Sequence, residues 1–566
     1  MGAFGTTIDG RSIALSGEPL FPGFDRKEFS KADKDAARSQ NYFKDRTPSI
    51  TLRNQIQLST YGDAIGGDLE HLKKFVDEHL GGALGSVHLL PIYPSSGDRG
   101  FAPLTYHQID PEQGSWDDVR ELGKEYDLVL DFMLNHVSAQ SKMFKDYLAK
   151  GEKSEYASMF MDWDKFWGEG GPGEKDLASI ITHQGDLPMI EVTLEDGSKR
   201  RLWNTFGPEQ IDIDPKSPAG WNFVTKSIKN LCSHGVKVIR LDAFGCFTKK
   251  AGSECYFEEP EVFDMLDRVG KLMEESGTRL LCEVHQDYRS NLKIAERGYW
   301  VYDFSLPLLV HHAFHFQTAL NLRKWLHICP RRQVTTLDTH DGMGIDDVTG
   351  LADICDLQEL ESLAKGATTQ DLAAITKKYF YDPKKASYVD AVHQINSTYY
   401  SACEEDDLTY LLARAIQFFC PGVPLVYYNG MLAGVNDADA VRRTGVPRNI
   451  NRPNYSYEDA AKQMQRPVVQ ALRDLCRFRN QHPAFQGQIT IFDDEPEHVL
   501  KVRWANGKDY ATLTANIKTR SFDLRYTTGG HESSPIRCVR FQREGGQEGF
   551  PEGDFNEEDV VFVCAK

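Results

Sequence analysis

From about residue 51 onward the chain alternates short apolar runs with amphipathic stretches. The runs are Ile56 to Leu58, GSVHLLPIY, DLVLDFML, VKVIRLD, RLLCEV, QVTTLDTHD and PLVYYNG. Apolar runs of this length between turn signals predict buried strands. Between most of them lie helical patterns such as DLEHLKKFVDEHL, SWDDVRELGKEY and AGWNFVTKSIKNLCSHG. Strands alternating with helices predict a parallel sheet covered on both faces. Seven or eight such units over about 400 residues predict an α/β fold, a (β/α)8 TIM barrel with inserted loop domains.

The rhythm breaks in two places and then changes character. Residues 138–210 follow DLVLDFML and contain the Gly-rich WGEGGPGEKD, an inserted B domain. Within it, Trp163, Phe166 and Trp167 are expected to form the insertion's own small core. Residues 343–390 follow QVTTLDTHD and read as irregular loop and helix, a second inserted region termed B′. Over 490–566, beginning with QITIFDDEPEHVLKVRWANGKDYATLTANI, the text alternates with period two and predicts a C-terminal antiparallel β domain. The barrel is therefore expected in three parts, 51–137, 211–342 and 391–489. An N-terminal extension, 1–50, precedes them, and its FDRKEFSKADKDAARSQNYF reads as an outer helix.

Composition narrows the function classes. Apolar residues make up 40% of 566 and charged residues 26%, enough for several cores. A net charge of −18 with no long basic stripe argues against a nucleic-acid partner. No apolar run approaches the roughly 18 residues of a membrane span, and the start lacks a signal-peptide pattern. The 11 cysteines are scattered without a CxxC pair or zinc spacing, which fits reduced thiols and a cytoplasmic setting. Cys246, Cys255 and Cys282 are expected as small buried hydrophobes.

The chemistry is written where the predicted strands end, which is where TIM barrels place it. GVKVIRLDAFG sets Arg240 and Asp242 into an apolar strand, although burying either alone costs several kcal/mol. Other strand ends supply Asn135-His136, Glu283 with His285, and His340-Asp341. Three acids around one opening suit glycosyl transfer. One attacks the anomeric carbon, one holds a proton for the leaving oxygen, and one stabilises oxocarbenium-like charge. Arg240, two residues before Asp242, shares its strand face and is expected to fix it and keep it ionised.

In order, DFMLNH, RLDAFG, EVH and LDTHDGMGIDD resemble motifs of the α-amylase superfamily, glycoside hydrolase family 13. The wider text is similar to the group that holds sucrose phosphorylase and the phosphorylases of sucrose 6-phosphate, glucosylglycerol and glucosylglycerate. HLLPIYPSSGDRGFAP, VYDFSLPLLVHHA, QINSTYYSA and RNINRPNYS carry that closer similarity, which runs from about residue 51 to 490. The resemblance implies Asp242 as nucleophile, Glu283 as general acid and base, and Asp341 as transition-state stabiliser. It implies Asp98, His136, His340 and Arg448 on the glucose hydroxyls, Phe101 as an apolar platform, and Gln394 near the substrate. The implied reaction is reversible phosphorolysis of an α-glucoside with retention, giving α-D-glucose 1-phosphate. Inorganic phosphate is then a co-substrate, no cofactor or metal is required, and a homodimer is expected.

Two segments depart from that pattern, both at the acceptor end. Thr182-His183-Gln184-Gly185-Asp186 stands where an Arg-Pro-Arg type loop is expected, and Ala391-Val392-His393 stands where Asp-Leu-Tyr is expected. His393 is taken as a substrate contact and His183 as a weaker candidate. A hydrolase or transglucosidase on the same scaffold shares the first half-reaction, so the three acids do not exclude it. A non-catalytic binding subunit would have lost one of the acids, and none is lost.

Overall fold

The computed structural model describes residues 12–15, 19–28, 52–349, 351, 375–529, 535–544 and 560–565. Eight strands form a closed parallel barrel: β1 Gln57–Thr60, β2 Ser86–Leu89, β3 Asp127–Met133, β4 Val238–Asp242, β5 Arg279–Cys282, β6 Trp300–Asp303, β7 Gln333–Thr335 and β8 Val423–Tyr427. Each pairs in parallel with its sequence neighbour, and β8 closes on β1. Side chains alternate inward and outward along such strands. Val129, Val238, Leu281, Trp300, Tyr302, Val334 and Val423 accordingly form one compact cluster, distinct from the larger core of Ile239, Leu241 and the helices. That alternation puts Val238, Arg240 and Asp242 on the same side of β4.

The helices follow from their caps and apolar stripes. Leu69–His79 starts where the Asp68 side chain accepts the His71 amide, and it buries Leu72, Phe75 and Val76. Pro218–Ser233 carries Pro at its first position behind a Ser217 cap. Asp407–Phe419 is buried on every side, because the C-terminal sheet covers the face turned away from the barrel. Its Arg414 is therefore dry and pairs with Asp338 at 2.5 Å.

The C-terminal sheet has seven strands in the order Ile13–Ala14, Val560–Ala565, Ile536–Arg543, Ser521–Thr527, Asp509–Asn516, Val499–Asn506 and Gln488–Ile491. It is antiparallel except where Ile536–Arg543 runs parallel to Val560–Ala565. The far N-terminal residues Ile13–Ala14 thus close the edge of the last domain. The outer helix expected over FDRKEFSKADKDAARSQNYF lies mostly outside the described residues.

Both insertions sit on the C-terminal side of the barrel. The first holds the hairpin Met189–Thr193/Lys199–Trp203 and an aromatic cluster in which Trp163, Phe166 and Trp167 surround Trp203. The second, expected as irregular loop and helix, carries among its described residues a β-hairpin, Ile375–Asp382 with Ser387–Ile395, plus the short strand Met343–Gly344, while 350 and 352–374 lie outside the described residues. ITKKYFYD hides this strand because both of its faces are only half-buried, so no clean apolar–polar alternation appears. The hairpin reaches the first insertion through a bridge between Thr182 and Tyr379. Among the described residues no helix is long and apolar enough to cross a membrane.

Candidate active site

A cavity of about 280 Å³ opens over the C-terminal ends of the strands. Asp242 is the last residue of β4 and Glu283 the first beyond β5. Asp341 stands on the loop six residues past β7. Their meeting point is compact: oxygens of Glu283 and Asp341 and a ring nitrogen of His285 lie within 4.8 Å of one another.

Arg240 organises the floor. One guanidinium nitrogen donates to Asp242 at 2.9 Å and also to Asp131, while the other contacts Glu283 at 2.6 Å. Asp131 is fully buried inside β3, and its second oxygen meets His88 Nε2 on β2 at 2.8 Å. Arg240 therefore serves three carboxylates, not the single one expected from its spacing. The second Glu283 oxygen accepts the Ala243 amide at 2.8 Å, which Ala243 presents from a left-handed conformation (φ +49°). Two nitrogens of one guanidinium thus hold Asp242 and Glu283 side by side.

Electrostatics separate the three acids. Burial and the facing Glu283 carboxylate push Asp242 well above the usual range, against the pull of Arg240. Burial acts alike on Glu283, but Arg240 and then His285 outweigh it and hold it low. Asp341 is held low against burial by Arg448, 2.9 Å away, with His340 and Arg452 behind it. His285 is the opposite of a usual buried histidine. Asp347 accepts from its Nδ1 at 3.0 Å and Glu283 lies 3.5 Å from its Nε2, so it is pushed up to about 10 despite burial. Gly344 makes room for that pair, since a Cβ there would overlap the Asp347 carboxylate.

The glucose-sized end is walled by residues from other strand ends. Phe101 and His340 stack at 4.8 Å with planes 4° apart, and burial keeps His340 neutral, pushed down to about 3. His136 bonds the Phe101 carbonyl at 2.8 Å and leaves its buried Nδ1 without a partner. Asp98 sits at φ +44°, beside Arg99 at φ +47°. Arg99 pins this strained turn by donating to Asp63 and the Arg452 carbonyl and stacking on Tyr61 at 4.1 Å.

This arrangement has known counterparts. Residues 30–320 match the model of the α-amylase catalytic domain. The chain is 42% identical over 484 residues to the sucrose phosphorylase of Streptococcus mutans, covering 84% of this chain and 98% of that one. It is 38% identical to the glucosylglycerol phosphorylase of Marinobacter adhaerens, over 84% of this chain and 98% of that one. The crystal structure of a sucrose 6F-phosphate phosphorylase from Thermoanaerobacter thermosaccharolyticum superposes with a TM-score of 0.81 at 38% identity, over 87% and 99% of the two chains. The chain belongs to the sucrose phosphorylase family of the α-amylase superfamily.

For a member of the sucrose phosphorylase family, the cavity gathers the sequence candidates almost completely. Asp98, Phe101, His136, Asp242, Glu283, His340, Asp341, His393, Gln394 and Arg448 all line it, and Arg240 lies beneath. Arg448 also donates to Gln394 at 3.3 Å and so ties the hairpin to Asp341. His183, the weaker candidate, lines the cavity as well, its ring 5.1 Å from His393. Several residues were missed. Asp131 and His88 lie within apolar runs, where a buried acid and imidazole were themselves a signal. Arg452 belongs to the quoted RNINRPNYS. Lys378 and Asp346, from the second insertion, and Glu254, from the segment after β4, line the acceptor end, where no periodicity pointed to a site. Cys246 and Cys255 are buried as expected, yet both also line the cavity.

Proposed function

We propose that the protein is a retaining α-glucoside phosphorylase of the sucrose phosphorylase type, converting an α-glucoside and phosphate into α-D-glucose 1-phosphate and a free acceptor. The observation that carries this is the Arg240 bridge between Asp242 and Glu283 at the closed end of the cavity. Bridged by Arg240, Asp242 and Glu283 titrate as one coupled pair that shares a proton. A bound glucoside draws Glu283 toward the glycosidic oxygen and off Arg240. The proton then passes to Glu283, and Arg240 keeps the freed Asp242 carboxylate charged for attack. C1–O of the glucoside breaks, the C1–Asp242 ester forms, and Glu283 gives its proton to the leaving oxygen. Phosphate then attacks C1 and returns the electron pair to Asp242. Asp341, neutralised by Arg448 and Arg452, faces the sugar as charge develops. Phe101 and His340 supply an apolar wall, and Asp98 and His136 complete the hydroxyl contacts.

The chemistry uses neither metal nor organic cofactor. Ten described cysteines are unpaired, which supports a reducing, cytoplasmic setting. The homodimer implied by the resemblance is decided by light scattering. The acceptor is decided by phosphate release from α-glucose 1-phosphate with fructose, fructose 6-phosphate, glycerol, glycerate or water alone. Release that depends on one acceptor names the substrate. Release in water alone makes the protein a hydrolase and ends the phosphorylase assignment.

A further inference from the structure

Asp346 and Asp347 are neighbours in the first turn of the second insertion, Asp346–Val348, and they serve different ends of the cavity. Asp346 accepts from Lys378 at 2.6 and 2.7 Å at the acceptor end. Asp347 is buried, and its ionic partner among the described residues is His285, whose Nδ1 lies 3.0 Å away. The other Asp347 oxygen is buried without a hydrogen-bond partner. Burial pushes this carboxyl up against the pull of His285. A buried acid held at such a cost calls for a role, and the mechanism above gives it none.

Several elements build the pair. Gly344 leaves the room that the Asp347 carboxylate fills, and Ser305 Oγ donates to the Asp347 carbonyl at 2.7 Å. Phe304 stacks on the His285 ring at 4.2 Å with planes 21° apart, and the Tyr256 hydroxyl accepts the His285 amide at 3.1 Å. So held, the ring turns Nε2 to Glu283 Oε1 at 3.5 Å, the same oxygen that Arg240 contacts at 2.6 Å. A neutral imidazole has one N–H, and carboxylates on both of its nitrogens call for two. The ring is therefore charged: burial opposes this, and Asp347 first and then Glu283 outweigh it. The other groups facing the ring are Asp341, with an oxygen within 4.8 Å, and His393 at 6.2 Å. Beyond them Asp346 and Lys378 pair with each other.

We propose that Asp347 is a positioning residue for proton transfer: through His285 it fixes a positive charge beside Glu283, which meets the negative charge Glu283 gains on giving its proton to the leaving oxygen. This role rests on that of Glu283 as acid and base given above. The Glu283 O–H bond breaks, its electron pair stays on the carboxylate, and His285 keeps both ring protons throughout. Once Asp242 is esterified it carries no charge, and Glu283 and Asp341 then face Arg240, Arg448 and the imidazolium. That balance keeps Glu283 ionised until the incoming nucleophile hands it a proton.

Asp347→Asn keeps the shape and removes the charge. In the full-length protein kcat/KM for an alkyl glucoside should fall about tenfold, and less than about twofold for an activated aryl glucoside, whose leaving group needs no proton. The alkaline limb of the alkyl-glucoside profile should move up by about one pH unit, because a cation lost beside a carboxyl raises its pKa. His285→Gln should do the same, and the double variant should add little to either single one. Either single variant carries the kinetic test if the other fails to fold. Nitrogen NMR reads the ring itself, with His285 identified by the signal missing in His285→Gln. Both ring protons should be present at about pH 8 in the unsubstituted protein, and one in Asp347→Asn. Equal losses on both donors with an unmoved alkaline limb, or a neutral His285 in the unsubstituted protein, overturn the proposal. Glu283→Gln reads the acid role by itself, so failure of that role and failure of this one are distinguishable.

Discussion

The two ends of the cavity are built by different means. At the glucose end Asp242, Glu283 and Asp341 hang from barrel strands or the loops just beyond them, and most groups are held twice. Arg240 grips three carboxylates, Asp341 faces two arginines, and Phe101 and His340 stack. At the acceptor end the groups come from inserted segments: His183 from the first, Lys378 and His393 from the hairpin. The barrel fixes the chemistry because its strands set geometry to a fraction of an ångström. The insertions line the other end, where loops can change without disturbing that frame.

The largest effect should come from breaking the glucose end. Asp242→Asn should cut turnover about 10⁴-fold or more with the melting temperature little changed, as expected when a covalent nucleophile is lost. Near-normal turnover would remove Asp242 from the mechanism. Glu283→Gln should cost about 10²- to 10⁴-fold with alkyl glucosides and less than tenfold with activated aryl glucosides, which need no proton. Equal losses on both donors would deny Glu283 the acid role.

Smaller effects should sharpen the contrast. Lys378→Met leaves Asp346 charged without its cation at the acceptor end. It should raise the phosphate KM about tenfold while the rate of glucosyl transfer from an aryl glucoside changes little. Losses spread evenly over both steps would mean that the two ends are not separable. The smallest effect is on stability, and the two histidines should act with opposite sign. His340 is held to about 3 when folded against 6.5 unfolded, so its contribution is present above 6.5 and lost as pH falls toward 3. His285 is held near 10, so its contribution is present below 6.5 and lost as pH rises toward 10. Melting temperatures across pH should show His340→Asn flattening the acid side and His285→Asn the alkaline side. The reverse pattern would contradict the charge states given to the two ends.

Much of the glucose end was legible because a charge interrupting or ending an apolar run has few explanations. Arg240, Asp242 and Glu283 declared themselves this way. Asp131 and His88 obeyed the same rule but stood inside their runs and passed as strand, so the Asp131 contact to Arg240 went unseen. The barrel was legible from its rhythm of strands and helices. The hairpin Ile375–Ile395 was not, because a strand half-exposed on both faces has no apolar face to alternate. Lys378 was hidden with it. The edge strand of the last sheet pairs Ile13 with Ala565, more than 500 positions away, which no local pattern records.

The most direct test of the whole account is isotope exchange between labelled inorganic phosphate and α-glucose 1-phosphate, with no acceptor present. A glucosyl group held on Asp242 and a phosphate site beside it predict label entering the sugar phosphate at a rate comparable to turnover, and none in Asp242→Asn. Glucose released without exchange would mean that water, not phosphate, meets the glucosyl-enzyme, and would contradict the account at its centre.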